Sequence, residues 1–414
     1  MPAPDLPDPS RWYHAWSEAE GSERAWNLLR DTFGETARHE LSAPGMVNLI
    51  GDHTDYNRGL ALPTVLPHRA YVAAVPRADS QIRIVLDDGD ALQGPGVAWF
   101  GDLNELHPGE VTGWPARPAS VLWALQERGF FGQGMSIAVT SCVPHRVGMS
   151  SSAALSAAVA LMANELWGLA LDTPAGRVEL AEACVEGESV FVGAPDHGAP
   201  SGGLDLHTVL RCEPGEALVL DFDHSPPEAL HTPMYFPEYG LTLLWIDTLV
   251  RPESNHEISA QRRAECAAAA AALGVSSLRE LEQRPTPLRD VERIADPILR
   301  KRARHVLHEN DRVRLVLGEL AGTGPAHERF VAIGKAMYRS HASLDQDFDL
   351  SSDLLNATVD AAFEAGALGA HLTGWGRGGA VVALVRRAEV WRVTQAIDAA
   401  YEQRGLPLPH YAVL

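Results

Sequence analysis

The run Gly148-Met149-Ser150-Ser151-Ser152-Ala153 stands between a strand-like stretch and a helical one. Unpaired backbone amides and the positive end of the dipole make such a helix start an anion site, and serine hydroxyls can bind phosphate oxygens or a magnesium ion. The same three serines read equally as an ordinary helix N-cap. A second segment, Val47-Asn48-Leu49-Ile50-Gly51-Asp52-His53-Thr54-Asp55-Tyr56-Asn57, begins apolar and then gathers carboxylates, an imidazole and amides around Gly51. Carboxylates accept hydrogen bonds from sugar hydroxyls, while the imidazole and amides supply donors. Asp and Asn are also common turn formers, so composition leaves a polar surface loop open. A third, Gly369 to Gly379, contains Thr373-Gly374-Trp375-Gly376-Arg377-Gly378-Gly379. Such glycine density allows close backbone approach, to a ligand or to another strand.

Elements must hold these segments in place. Trp12 to Phe33 carries apolar side chains at helical spacing and predicts an amphipathic helix. Strands are expected at Tyr71–Val75, Ile82–Leu86 and Met135–Val139, then a turn from Pro144 to Gly148. From Ser150 to Leu166 the pattern is apolar nearly all round, the mark of a helix buried in a domain core. Further on come a strand at Leu241–Ile246 and helices at Gln261–Leu273, Pro287–Glu309, Asp311–Gly318 and Glu328–His341. The chain closes with helix Asp353–Ala365, strand Val381–Val385 and helix Ala388–Arg404. This mixture predicts α+β architecture in two domains.

Bulk properties narrow the function classes. The 414 residues carry 54 acidic against 34 basic side chains, a net charge of -20 that repels a nucleic-acid backbone. The longest apolar run, Ala153 to Ala163, falls short of the about 20 residues needed to cross a bilayer. Cys142, Cys184, Cys212 and Cys266 are widely spaced and form no C-x-x-C pair, as expected of reduced thiols. With no basic stretch leading into an apolar core at the start, the expected place is the cytoplasm.

Taken together, in this order and spacing, the three segments resemble galactokinase within the GHMP superfamily of small-metabolite kinases. Ala43-Pro44-Gly45-Met46 through Asn57 is similar to the galactokinase signature, Pro144 through Ala154 to its phosphate loop, and Gly369 to Gly379 to its C-terminal glycine motif. Ser340-His341-Ala342-Ser343-Leu344, with Asp347-Phe348 after it, also resembles a galactokinase stretch. The resemblance implies a two-domain GHMP-kinase-type fold. Residues 1–211 would carry the sugar motif, phosphate loop and catalytic Asp, and residues 212–414 a ferredoxin-like α+β domain with the glycine-rich motif. The active site is expected in the cleft between these domains.

Residue by residue, Gly198-Ala199-Pro200-Ser201-Gly202-Gly203-Leu204-Asp205 places Asp205 at the carboxylate that faces the anomeric hydroxyl. Glu188 matches the acidic residue that joins a loop serine, here Ser151, in holding Mg2+. Sugar contacts are implied for Asp52, His53, Asp55 and Gly202, and ATP contacts for Gly148, Ser150, Ser151, Ser152 and Gly376. The sequence also departs from the family. Met46 stands where the family has a catalytic Arg, Arg146 replaces a loop glycine, and Trp375 and Arg377 replace Gly and Phe. Ser259 stands for a sugar-contacting Tyr ahead of Arg262 and Arg263, Asp52 for a Glu, and about five extra residues surround Asp196 and His197. The implied activity is ATP-dependent phosphorylation of the anomeric hydroxyl of a monosaccharide, galactose first, by a monomer. The departures define the alternatives: a pseudokinase that senses sugar or nucleotide, or a kinase for an amino sugar or pentose.

Overall fold

The computed structural model describes residues 9–87, 97–145, 147–192, 202–251, 255–374 and 376–414. The chain forms two compact units. One comprises His14–Met46 and Val65–Pro214; the other comprises the described part of Met1–Tyr13, Val47–Thr64 and Gly215–Leu414. We call them the phosphate-loop unit and the sugar-motif unit after the segments they carry.

In the phosphate-loop unit the strand Met135–Ser141 lies parallel to Gln81–Asp87 and antiparallel to Leu60–Pro76, with Ile137 between Ile84 and Ala74. Val97–Asp102 pairs antiparallel with the outer side of Gln81–Asp87. The helix Glu18–Phe33 packs on this sheet, Leu29 against Val85 and Ala138 and Ala25 against Tyr71. It begins at Glu18, six residues later than periodicity alone predicts, because Ser17 caps it by accepting from the Glu20 amide. Trp12 instead bridges to Tyr411 in the other chain segment of its own unit. The expected all-apolar helix is present as Ser151–Trp167, with every residue from Ser156 to Asn164 buried. It packs against Ala116–Glu127, Pro174–Glu186 and Leu204–Arg211, which explains why it lacks a polar face.

The sugar-motif unit is built on an antiparallel sheet in the order His410–Val413, Leu241–Asp247, Ala380–Arg386, Gly369–Thr373. Ile246 and Leu372 flank Val381 across it. Helices Asn255–Ala272, Pro297–Ala321, Ala326–Gln346, Asp353–Glu364 and Val390–Glu402 share one core with the sheet, including Val306, Leu344, Phe348, Val359 and Val393. Each fully buried Val or Leu there contributes about 1.5–3 kcal/mol. Two expectations fail locally. The helices predicted at Pro287–Glu309 and Asp311–Gly318 are a short Pro287–Val291 and a single 25-residue Pro297–Ala321. Asp296 caps the long helix ahead of Pro297. Asn310, which reads as a break, sits inside it and is locked by bonds to the Leu60 amide (2.9 Å) and to Glu282 Oε1 (2.7 Å). The glycine motif, expected to be a turn throughout, opens with the strand Gly369–Thr373 and turns only after it.

Candidate active site

The strand His39–Ile50 brings the chain to Gly51, whose φ of 95° only glycine adopts readily. A Cβ there would lie 2.6 Å from Ala61 Cα. Thr54 ties the turn together, its hydroxyl within 2.9 Å of the Gly51 carbonyl and 2.7 Å of the Leu60 carbonyl. Asp52, His53 and Asp55, the expected sugar contacts, therefore sit in one tight turn of the sugar-motif unit. His53 Nδ1 lies 3.0 Å from the Tyr56 hydroxyl, and its ring packs 5.1 Å from Phe348. Burial, followed by the charges of neighbouring His305, Arg263 and Arg262, lowers the His53 pKa to about 3, so the ring is neutral at pH 7. Burial also raises Asp55, opposed by Arg263.

Beneath this turn lies a polar network that sequence reasoning missed. Glu309 is fully buried; its Oε1 accepts from the Gly51 amide (3.0 Å), the Asp52 amide (3.4 Å) and the Ser340 hydroxyl (2.7 Å). Its Oε2 accepts from Arg312 Nε at 2.6 Å. His305 Nε2 donates to the Asp52 carbonyl (3.1 Å), which leaves Nδ1 to accept from Ser343 (2.9 Å). His371 Nε2 lies 3.0 Å from the Leu49 carbonyl, while its Nδ1 lies 2.6 Å from the Leu372 carbonyl and 3.5 Å from Asp52 Oδ2. The two carboxyls are driven apart. Burial and then the Glu309 charge raise Asp52 well above the usual carboxylate range. Burial would raise Glu309 as well, but Arg312, His305, Ser340 and the Gly51 amide hold it down to about 2. A signal for these residues exists in the sequence: His305, Glu309 and Arg312 follow the i, i+4, i+7 spacing of one helix face. That face also carries the core residues Val306 and Val313.

The phosphate loop belongs to the other unit. Gly148 has φ 75°, and Ser150 takes the left-handed conformation (φ 57°, ψ 43°) at the start of Ser151–Trp167. An N-cap is normally extended, with its side chain bonded to the helix amides. Ser150 does neither. Its hydroxyl donates instead to Asp205 Oδ2 at 2.7 Å and makes no cap bond to the helix amides. The N-cap reading is therefore the weaker one: the helix start keeps its amides and dipole for an anion. A non-glycine residue in this region costs on the order of 1–3 kcal/mol, the kind of strain found at functional sites. Asp205 lies in the first turn of Leu204–Arg211, entered through Gly203 at φ 82°. Ser151 Oγ is 3.2 Å from His145 Nδ1. Glu188 is half-buried and paired with Arg117 at 2.7 Å. Gly148, Ser150, Ser151, Ser152, Gly202 and Asp205 are all partly open to solvent.

The departures from the family pattern divide. Met46 is a buried core residue (2% exposed), and its amide donates to the Met149 carbonyl at 3.1 Å, supporting the loop from behind. Ser259 is buried on Asn255–Ala272. Arg377 is exposed but engaged, its guanidinium 2.8 Å from Asp349 Oδ2, which also accepts from Arg262 at 2.9 Å. Gly376 is in the sugar-motif unit, where a Cβ would lie 2.5 Å from the Leu350 carbonyl, so packing by itself requires glycine. Arg146, Trp375 and the extra residues around Asp196 and His197 lie outside the described residues. No helix of the described residues is long and apolar enough to cross a membrane.

Comparison with known proteins bears on the same segments. The galactokinase galactose-binding signature matches residues 27–76, the GHMP kinase N-terminal domain residues 117–202, and the GHMP kinase C-terminal domain residues 323–403. The galactokinase of Streptomyces coelicolor is 38% identical over 386 residues, 92% of this chain and 93% of that one. That of Mycobacterium tuberculosis is 39% identical over 380 residues, covering 89% and 94%. Among solved structures, Lactococcus lactis galactokinase complexed with galactose superposes with a TM-score of 0.79 at 24% identity, covering 95% of this chain and 97% of that one. Methanococcus jannaschii mevalonate kinase gives a TM-score of 0.58 at 16% identity, covering 91% and 98%. The chain belongs to the galactokinase family of the GHMP kinases.

Proposed function

We propose that this chain transfers the γ-phosphoryl group of ATP to the anomeric hydroxyl of galactose, giving galactose 1-phosphate and ADP. The anomeric oxygen attacks the γ-phosphorus, the bond to the β,γ-bridging oxygen breaks, and the hydroxyl proton passes to Asp205. The observation that carries this reading is the Ser150–Asp205 bond at a helix start that the Ser150 side chain does not cap. One residue there both frees an anion site and orients a carboxylate. Gly148, Ser150, Ser151 and Ser152 bind the nucleotide phosphates, with Gly376 assigned to the nucleotide by resemblance. Asp52, His53, Asp55 and Gly202 bind the sugar. Neutral His53 can donate from one nitrogen and accept at the other.

Magnesium fits the remaining donors. A serine hydroxyl at Ser151 and a carboxylate at Glu188 are the hard oxygen ligands it takes alongside phosphate and water. When bound it offsets charge on the transferring group. Arg117, now paired with Glu188, would have to share or release that carboxylate. We further place the protein in the cytoplasm as a monomer. The sensor reading, which rests on Met46 and Arg146, loses the first of these supports. Met46 fills core space and so marks no defect in a charged pocket, and close similarity to galactokinases favours catalysis.

A coupled ADP-release assay across galactose, galactosamine, arabinose and glucose tests the assignment. Galactose is expected to give the highest kcat/KM. Turnover confined to an amino sugar or pentose would replace the substrate, and no sugar-dependent ADP release would remove the activity.

A further inference from the structure

We propose that Glu309 is the positioning residue of the sugar loop: through the Gly51 and Asp52 amides it sets where the Asp52 and His53 side chains stand. The assignment rests on those two residues being sugar ligands. Burying this charge is costly. A carboxylate that is fully buried and ionised loses its hydration, and apolar packing of the same volume would serve stability as well or better. Here the charge is surrounded by donors that only an anion satisfies together: two loop amides, the Ser340 hydroxyl and the Arg312 guanidinium. Gly51 at φ 95° points its amide inward to this carboxylate, away from strand pairing.

The clamp is two-sided. The Asp52 amide goes to Glu309, and its carbonyl accepts from His305, one helical turn earlier on Pro297–Ala321. With both backbone groups fixed, Asp52 cannot rotate its peptide planes, and the direction of its side chain is set by one helix. Ser340 and Ser343, on Ala326–Gln346, orient Glu309 and His305 in turn. The Ser340–Leu344 segment, singled out in the sequence, thereby acquires a physical role, because it holds the residues that hold the loop.

The test uses the full chain with Glu309→Gln, which keeps size but loses charge. Val393→Ala, a cavity in the same hydrophobic core but on the helix Val390–Glu402, outside the network, serves as the stability control. Glu309→Gln should raise the galactose KM about tenfold or more, the scale of one lost charge-assisted bond, with the ATP KM within about twofold. Hydrogen exchange should speed up in residues 49–57 and not in the strand Leu241–Asp247. Val393→Ala should lower Tm and leave the galactose KM within about twofold. If Glu309→Gln does not fold, Glu309→Asp, a shortened carboxylate, is judged on the same readouts. A folded variant with an unchanged galactose KM, or with both KM values raised alike, overturns the proposal. So does unchanged exchange at residues 49–57. The exchange arm needs no sugar, so a wild-type chain inactive on galactose would overturn the substrate assignment while this arm still decides the role of Glu309.

Discussion

The sugar loop and the phosphate loop are built in opposite ways. Around Asp52 the backbone is over-determined: buried, entered through an obligatory glycine, and clamped by Glu309 and His305. Around Ser150 the loop is half open, with a serine in a conformation that suits glycine and a side chain that does not cap the helix start. A loop that must recognise neutral hydroxyl groups gains from fixed partners, because selectivity among sugars depends on placing donors and acceptors accurately. A loop that takes a polyanion needs amides left unsatisfied until the ligand arrives. On the proposed site assignment, the first loop recognises the sugar and the second carries the chemistry.

Three changes would break or sharpen that contrast. The largest effect is expected from Asp205→Asn, which keeps size and hydrogen bonding but removes the proton acceptor. Turnover should fall by about 10²–10⁴-fold, with ATP binding retained. Near-normal single-turnover transfer by the folded variant would move the chemistry to another residue.

A second, intermediate effect separates the loops by pH. Burial holds His305 at about 4 and His53 at about 3, against an ordinary 6.5. Between those values and 6.5 the unfolded chain binds protons that the folded chain does not. Stability therefore falls as the pH drops from 6.5 toward 3. His305→Asn should flatten the upper part of that decline in urea titrations, whatever its effect on stability at pH 7. An unchanged slope would mean that the imidazole is not held neutral under the sugar loop.

The smallest effect concerns strain in the phosphate loop. Both Ser150→Ala and Ser150→Gly lose the bond to Asp205, but only glycine tolerates φ 57° freely. The glycine variant should be more stable than the alanine variant by about 1 kcal/mol in denaturant unfolding. Equal stability would mean that the left-handed serine stores no strain.

Much of this contrast was legible in the sequence, unevenly. The buried helix Ser151–Trp167 announced itself because an apolar pattern on all sides leaves little else to predict. The strands at Met135–Ser141 and Leu241–Asp247 were equally direct. What stayed hidden was long-range. The stretch Ala43 to Pro63 reads as a glycine- and polar-rich segment, yet its first part lies in the strand His39–Ile50, which pairs with Leu60–Pro76. Asn310 and Asp311 look like a helix break until the Leu60 amide and Glu282 are seen to occupy Asn310. The same holds at the site. Asp205 and the serines followed from motif order, but nothing local shows that Ser150 gives its hydroxyl to Asp205 instead of to the helix. Glu309 acts on a loop 258 residues away in sequence. Motifs name the groups that touch ligand; the groups that aim them come from elsewhere in the chain.

Formation of galactose 1-phosphate by this chain is tested most directly by following the phosphorus. With galactose, ATP and magnesium, 31P NMR should show the γ-phosphate of ATP lost and an anomeric sugar phosphate gained, in equal amount to the ADP formed. Inorganic phosphate in place of the sugar phosphate, or an unchanged ATP spectrum in the presence of bound galactose, would contradict it.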